Sequence, residues 1–217
     1  MNSIARKQQG FTLIEIAIVL VIIGLLLGGV LKGQEMIENG KIKNMINDLN
    51  GTAAAMTSYR DRYRALPGDD IAALPARGWA AAVAGDGNGL VGAAAANPFT
   101  TNGENINFWR DLRYAGLVAG DPAIATVALG GLPTHAGSGL MGVTRGVQGM
   151  AGAVVCMGNV SGKYALSIDQ QLDDGANSTG TIRAALGVAG NNTAPVAAIP
   201  NPAAYNETLS YTVCRAL

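Results

Sequence analysis

The sequence predicts an α+β protein, with one long N-terminal helix and a small antiparallel sheet laid over part of it. Three observations predict this. An apolar run fills residues 11 to 31, an amphipathic helical pattern continues to about residue 64, and short apolar runs punctuated by glycine fill the C-terminal half. Helix first and strands afterwards is the order of an α+β architecture. The chain has 217 residues, enough for one modest domain plus an appendage. Its 15 basic and 15 acidic residues cancel, so no global charge draws it to nucleic acid.

The helix begins in "GFTLIEIAIVLVIIGLLLGGVL". At 1.5 Å per residue, 21 helical residues reach roughly 31 Å, about the thickness of a hydrocarbon core. A secretory signal has a shorter apolar region and a small-x-small cleavage site, whereas here the run passes through "IGLLLGGVLKG" into a polar helical pattern. No cysteine follows directly, as a lipoprotein signal would need. The segment is therefore expected to stay with the protein. Arg6 and Lys7 precede it and Lys32, Lys41 and Lys43 follow, so flanking charge does not set the orientation. The long C-terminal part is of a kind that translocates regardless of charge, which places residues 1 to 10 in the cytoplasm and the bulk outside the inner membrane.

Glu15 is the one ionisable residue in the run. A carboxylate deep in a bilayer costs on the order of 3 kcal/mol, so such groups are usually functional and paired. Near the end of a span it could also be a tolerated edge residue of a plain anchor. A cut between Gly10 and Phe11 would give Phe11 a new ammonium group, four residues from Glu15 or opposite Glu15 of a neighbouring subunit. In low dielectric these two charges would attract strongly.

These residues resemble the class III signal of type IV prepilins and type II secretion pseudopilins: a short basic leader ending in Gly, then Phe-Thr-Leu-Ile-Glu and an apolar stretch. The resemblance implies a pilin-like fold and cleavage by a prepilin peptidase between Gly10 and Phe11. It also implies N-methylation of Phe11, with Glu15 setting subunit register in a helical filament. The implied partners are other pilins, the peptidase and an inner-membrane assembly platform. It covers about 25 residues and leaves pilus and secretion filament undistinguished. The competing expectation is a signal-anchored periplasmic binding module that does not polymerise.

Beyond the membrane segment, Ile42, Met45, Ile46, Leu49, Ala53, Met56 and Tyr63 form one apolar stripe. "RALPGDD" stops the helix, since Pro67 cannot continue the ladder. The expected divisions are a leader at 1–10, a membrane or filament-core helix at 11–31, its amphipathic half at 32–66 and a head at 67–217. Within the head, "NINFWRDLRYAGLVAG" predicts a short helix ended by Gly116 or Gly120. "AGAVVCM", "KYALSID", "TIRAAL" and "SYTVCRAL" are the candidate strands. Cys156 and Cys214 lie outside any metal-ligand spacing, so a single disulfide in an oxidising compartment is the simplest reading, with two free buried thiols as the alternative. Pilins often carry a C-terminal disulfide around a variable loop, which here would be residues 157 to 213.

Candidate chemistry is sparse. "GDGNG" offers Asp86 and Asn88, and "IDQQLDDG" offers Asp169, Asp173 and Asp174; these oxygens are a candidate Ca²⁺ site in either loop, although Asp, Asn and Gly also serve turns for backbone reasons. No cofactor is required. His135, the single histidine, has no nucleophile elbow or orienting acid near it in sequence, and reads as a surface or turn residue. Nothing points to an enzyme. Five Asn-x-Ser/Thr sequons, at Asn50, Asn159, Asn177, Asn191 and Asn206, are weak signals in so Asn-rich a chain. "SYRDRYR" is the one basic-aromatic cluster, and a solvated helix end with inward tyrosines is expected over a DNA grip. Loss of the leader leaves 13 basic against 15 acidic side chains, which disfavours DNA.

Overall fold

The computed structural model describes residues 12–73, 77–79, 82–100, 103–124, 130–201 and 203–217. The chain divides into two compact units, Met1–Gly40 and Lys41–Leu217. Helix α1, Leu13–Tyr63, supplies the first unit and enters the second.

The first unit is helical wherever it is described beyond Thr12, and its large apolar side chains are exposed, Leu25 at 73% for example. By length and composition this part of α1 can cross a membrane. It is compatible with membrane anchoring, as in type IV prepilins.

In the second unit α1 buries Ile42, Met45, Leu49, Thr52, Met56 and Tyr59. The three- and four-residue alternation keeps one face towards a core. The expected stripe is largely the observed one, but Ile46, Ala53 and Tyr63 lie at its half-buried margin while Thr52, Ala55 and Tyr59 are buried. The helix ends at Tyr63, and Arg64 takes a left-handed φ of 56° just before Pro67.

The rest of this unit comprises α2 (Glu104–Tyr114), β1 (Met141–Arg145), β2 (Ala153–Ser161), α3 (Gly162–Leu172), β3 (Ile182–Leu186) and β4 (Ser210–Ala216). The strands form one antiparallel sheet in the order β1-β2-β4-β3. Together with α1 this is the α+β, pilin-like layout that the sequence predicts. Helix α2 stops where Gly116 adopts φ 71°, with the Leu117 amide closing back on Leu112 at 2.9 Å. A left-handed residue after the last turn suits glycine, which has no Cβ to clash.

Pleating divides the sheet between two cores. Val155, Met157, Tyr211 and Val213 join the α1 and α2 residues Met45, Leu49, Tyr59, Phe108, Trp109 and Leu112 in the larger one. Val154, Cys156 and Cys214 point the other way, into a smaller cluster with Phe99, Val147 and Met150. Both faces are covered, so β2 reads as a continuous apolar run rather than an alternating one. The outer edges are covered as well: Ala95 donates to the Arg145 carbonyl on β1 at 2.8 Å, and Ala184 on β3 donates to the Asn177 carbonyl at 2.9 Å. Such cover blunts edge-to-edge association.

One expected strand is wrong. "KYALSID" lies in α3, not in the sheet. Tyr164, Leu166 and Ile168 alternate as a strand would, but the buried pair is Ala165 and Ile168, one helical turn apart, and the Ser161 hydroxyl accepts the Tyr164 amide as an N-cap. Strand β1 was not among the candidates, because "MGVTR" carries Gly142 and Thr144 where apolar residues would announce a strand.

Candidate functional site

At the start of α1, Thr12 and Glu15 form a reciprocal cap. The Glu15 Oε2 atom accepts the Thr12 amide and the Thr12 hydroxyl, both at 2.7 Å, and the Thr12 Oγ1 accepts the Glu15 amide at 3.3 Å. This is the Thr-x-x-Glu capping box, which satisfies helix-start amides that lack an intrahelical acceptor. The spacing was legible in the sequence, yet Glu15 stood out there only as a charge in an apolar run. In the single chain, therefore, Glu15 already has a local role. Gly10 and Phe11 lie outside the described residues.

Cys156 and Cys214 are bonded, face to face in register on β2 and β4 with Cα atoms 4.0 Å apart, and both are fully buried. The alternative of two free thiols falls. The bond closes 58 residues that include α3, β3 and the long segment between β3 and β4.

The first acidic loop is larger than its sequence motif. Asp86 comes together with Asp69 and Glu104, each offering a carboxylate oxygen within 4.8 Å of the others. Asn88 is part of the same turn. Asp69 Oδ1 and Oδ2 accept the Asn88 and Gly89 amides at 3.0 and 2.7 Å, and Glu104 accepts the Asp86 and Gly92 amides at 3.3 and 2.7 Å. These bonds tie the 86–92 loop to the end of α1 and the start of α2. Asp69 and Glu104 were missed because they are far from "GDGNG" in sequence.

Asp169, Asp173 and Asp174 also converge within 4.8 Å. Asp169, fully buried on α3, accepts the Tyr205 hydroxyl and the Gly175 amide. Asp173 accepts the Thr181 and Ile182 amides, and Asp174 the Ala176 amide and Thr179 hydroxyl. Burial raises the Asp169 pKa, whereas the Thr179 hydroxyl, ahead of the Ala176 amide, lowers that of Asp174. Both trios carry oxygens of the type calcium takes. In the structure these oxygens hold loops.

The tyrosines of "SYRDRYR" turn inward, though they pack on Trp79 as well as on the core. Tyr59 is fully buried, Tyr63 meets Trp79 edge-on at 5.6 Å, and Trp79 stacks on Tyr114 at 5.2 Å. Arg60, Arg62 and Arg64 remain exposed. Beneath them lies a buried polar group that the sequence did not announce. The Tyr59 hydroxyl donates to Asp70 at 2.7 Å, Arg77 pairs with Asp70 and lies over the Tyr63 ring, and the Gly68 amide donates to Asp111 at 2.7 Å. Burial, first, and the charge of Asp70 push the Asp111 carboxyl up to about 7, against the opposing effects of the Gly68 amide, Arg77 and Arg110.

The fold prefers Asp111 neutral. Its contribution to stability is therefore full below the ordinary value of 3.8 and is lost as pH climbs through about 7. The span corresponds to about 4 kcal/mol at most. We expect the urea midpoint, followed by tryptophan fluorescence, to fall between pH 5 and pH 8, and Asp111→Asn to flatten that slope. An equal slope in the variant would show that Asp111 is not the group responsible. His135 works in the opposite sense. It is buried rather than on the surface, its Nε2 donating to the Gly158 carbonyl at 2.8 Å and its Nδ1 accepting the Gly137 amide at 3.1 Å. Burial holds its pKa below 6.5, so its contribution is full above 6.5 and is lost as pH falls below that towards the lowered value.

A long, exposed apolar helix with an acid at its start, joined to a small disulfide-closed α+β unit, defines a prepilin-type layout. Residues 5–31 match the family model for the prokaryotic N-terminal methylation motif, the class III prepilin signal of type IV pilins and pseudopilins. The motif indicates a type IV pilin-like or pseudopilin precursor, a structural type of protein. No curated protein and no solved structure matches the chain.

Proposed function

We propose that this protein is a structural filament subunit, a pilin or pseudopilin, made as a precursor in the inner membrane. A prepilin peptidase removes residues 1–10, cutting between Gly10 and Phe11, and Phe11 is then N-methylated. The first part of α1 packs between subunits, with the Phe11 ammonium of one chain paired to Glu15. The head faces the periplasm, where the Cys156–Cys214 bond forms, and reaches the exterior with the filament. The observation that supports this reading best is the methylation motif at residues 5–31, whose part from Leu13 onwards lies on a helix with its large apolar side chains exposed among the described residues. Apolar surface of that extent needs lipid or other helices around it.

Intact-mass and N-terminal peptide spectrometry of protein from its native membrane tests the reading. The expected mature chain starts at Phe11 and carries one added methyl group. A chain retaining residues 1–10 in a host with an active prepilin peptidase would overturn it in favour of a non-polymerising anchored module.

A further inference from the structure

Asn88 precedes Gly89, and both ends of the Asn88 side chain and the Gly89 amide have fixed partners. The Asn88 side chain is held at both ends: its Oδ1 accepts the Leu90 amide at 2.8 Å, and its Nδ2 donates to Asp86 Oδ2 at 2.7 Å. A donor at one end and a carboxylate at the other fix which atom is oxygen and which is nitrogen. The Gly89 amide donates to Asp69 Oδ2 at 2.7 Å. Asp69 is only 4% exposed, while Asn88 and Gly89 are open to water. Gly89 holds φ 80°, a conformation that suits a residue without Cβ.

We propose that Asn88 is a self-modifying site, at which the folded head catalyses deamidation of its own Asn88–Gly89 pair. Asp69 Oδ2 takes the Gly89 amide proton, and the freed nitrogen attacks Asn88 Cγ. The amide hydrogen lies in the peptide plane and the attack proceeds perpendicular to it, so the bond to Asp69 and the attack do not conflict. The negative charge that develops on Oδ1 is met by the Leu90 N–H, a donor already in place. The Cγ–Nδ2 bond then breaks, and the nitrogen takes up the proton and leaves as ammonia. Water opens the resulting succinimide at either carbonyl, leaving an aspartyl or isoaspartyl residue at position 88. One water is consumed and one ammonia released.

Two other Asn-Gly pairs among the described residues lack this arrangement. Asn39–Gly40 and Asn50–Gly51 lie inside α1, where glycine amides donate along the helix ladder. Asn88 differs in having a base on the attacking nitrogen and a donor on the receiving oxygen. The new carboxylate would sit beside Asp69, Asp86 and Glu104, so the product weakens the clamp on the 86–92 loop and marks the age of the molecule.

The test compares one chain in two states. Freshly made full-length protein is incubated at neutral pH in heavy-oxygen water, folded in mild detergent and, in parallel, unfolded in urea, and the peptides carrying residues 39, 50 and 88 are followed by mass spectrometry. The folded protein is expected to take up label at residue 88 on the order of a hundredfold faster than the unfolded chain, the low end of what a positioned base supplies. Residues 39 and 50 should show the reverse. Folded Asp69→Asn protein should lose the acceleration. A folded rate at or below the unfolded one overturns the proposal, as does an Asp69→Asn protein that folds and keeps the wild-type rate. If that variant fails to fold, the wild-type ratio decides alone.

Discussion

Glu15→Leu should leave the protein in the inner membrane and correctly processed, yet abolish filament assembly. The two effects run in opposite directions on physical grounds. Removing a carboxylate from an apolar segment favours insertion by on the order of 3 kcal/mol. Loss of the Thr12–Glu15 cap costs the helix about 1 kcal/mol, too little to undo a helix of 51 residues. If Glu15 served only the anchor, the variant would be the better protein. Glu15→Gln separates the remaining roles, because its side-chain oxygen can still accept the Thr12 amide and hydroxyl but carries no charge. We expect this variant to insert and to assemble poorly. The readouts are membrane-fraction immunoblots and the yield of sheared filaments by electron microscopy. Normal filaments from Glu15→Gln would exclude the charge pair with Phe11 and leave the cap as the function of Glu15.

Breaking the Cys156–Cys214 bond should produce the largest loss of stability from a single covalent change in the head. Closing a loop of 58 residues contributes about 4 kcal/mol in the chain-entropy model. Whole domains are stable by only about 5–15 kcal/mol, so the loss is a large share. The bond joins β2 to β4, the last strand, and lies in the smaller core with Phe99 and Val154. The paired change Cys156→Ala and Cys214→Ala avoids burying a hydroxyl there. Its urea midpoint, read by tryptophan fluorescence, should drop well below that of the oxidised protein, and reduction of the wild type should reproduce most of the drop. A midpoint that reduction leaves unmoved would show that the bond holds no stability in the head.

Much of this was legible from residue order alone because it rests on local periods. The apolar run at 11–31, the three- and four-residue spacing from Ile42 to Tyr63, and the stop at Pro67 each depend on neighbours within a turn or two, and α1 follows them closely. "TIRAAL" and "SYTVCRAL" became β3 and β4 for the same reason. "KYALSID" failed where two periods overlapped: its alternation was real, but burial of Ala165 and Ile168 on one helical face outweighed it. The Thr12–Glu15 cap is equally local, since its Thr-x-x-Glu spacing lies within one turn.

By itself the sequence determined the methylation motif, the long apolar helix and the α+β order, all of which are encoded within short windows. Tertiary structure alone decided which distant groups meet. Asp69 and Glu104 close on the Asn88 turn across 19 and 16 positions, Asp111 reaches Gly68 across 43, and Cys156 finds Cys214 across 58. No local rule encodes those separations. They follow from packing α2 and the sheet into shared cores, where burial costs each carboxylate its water and obliges it to accept hydrogen bonds from the protein instead.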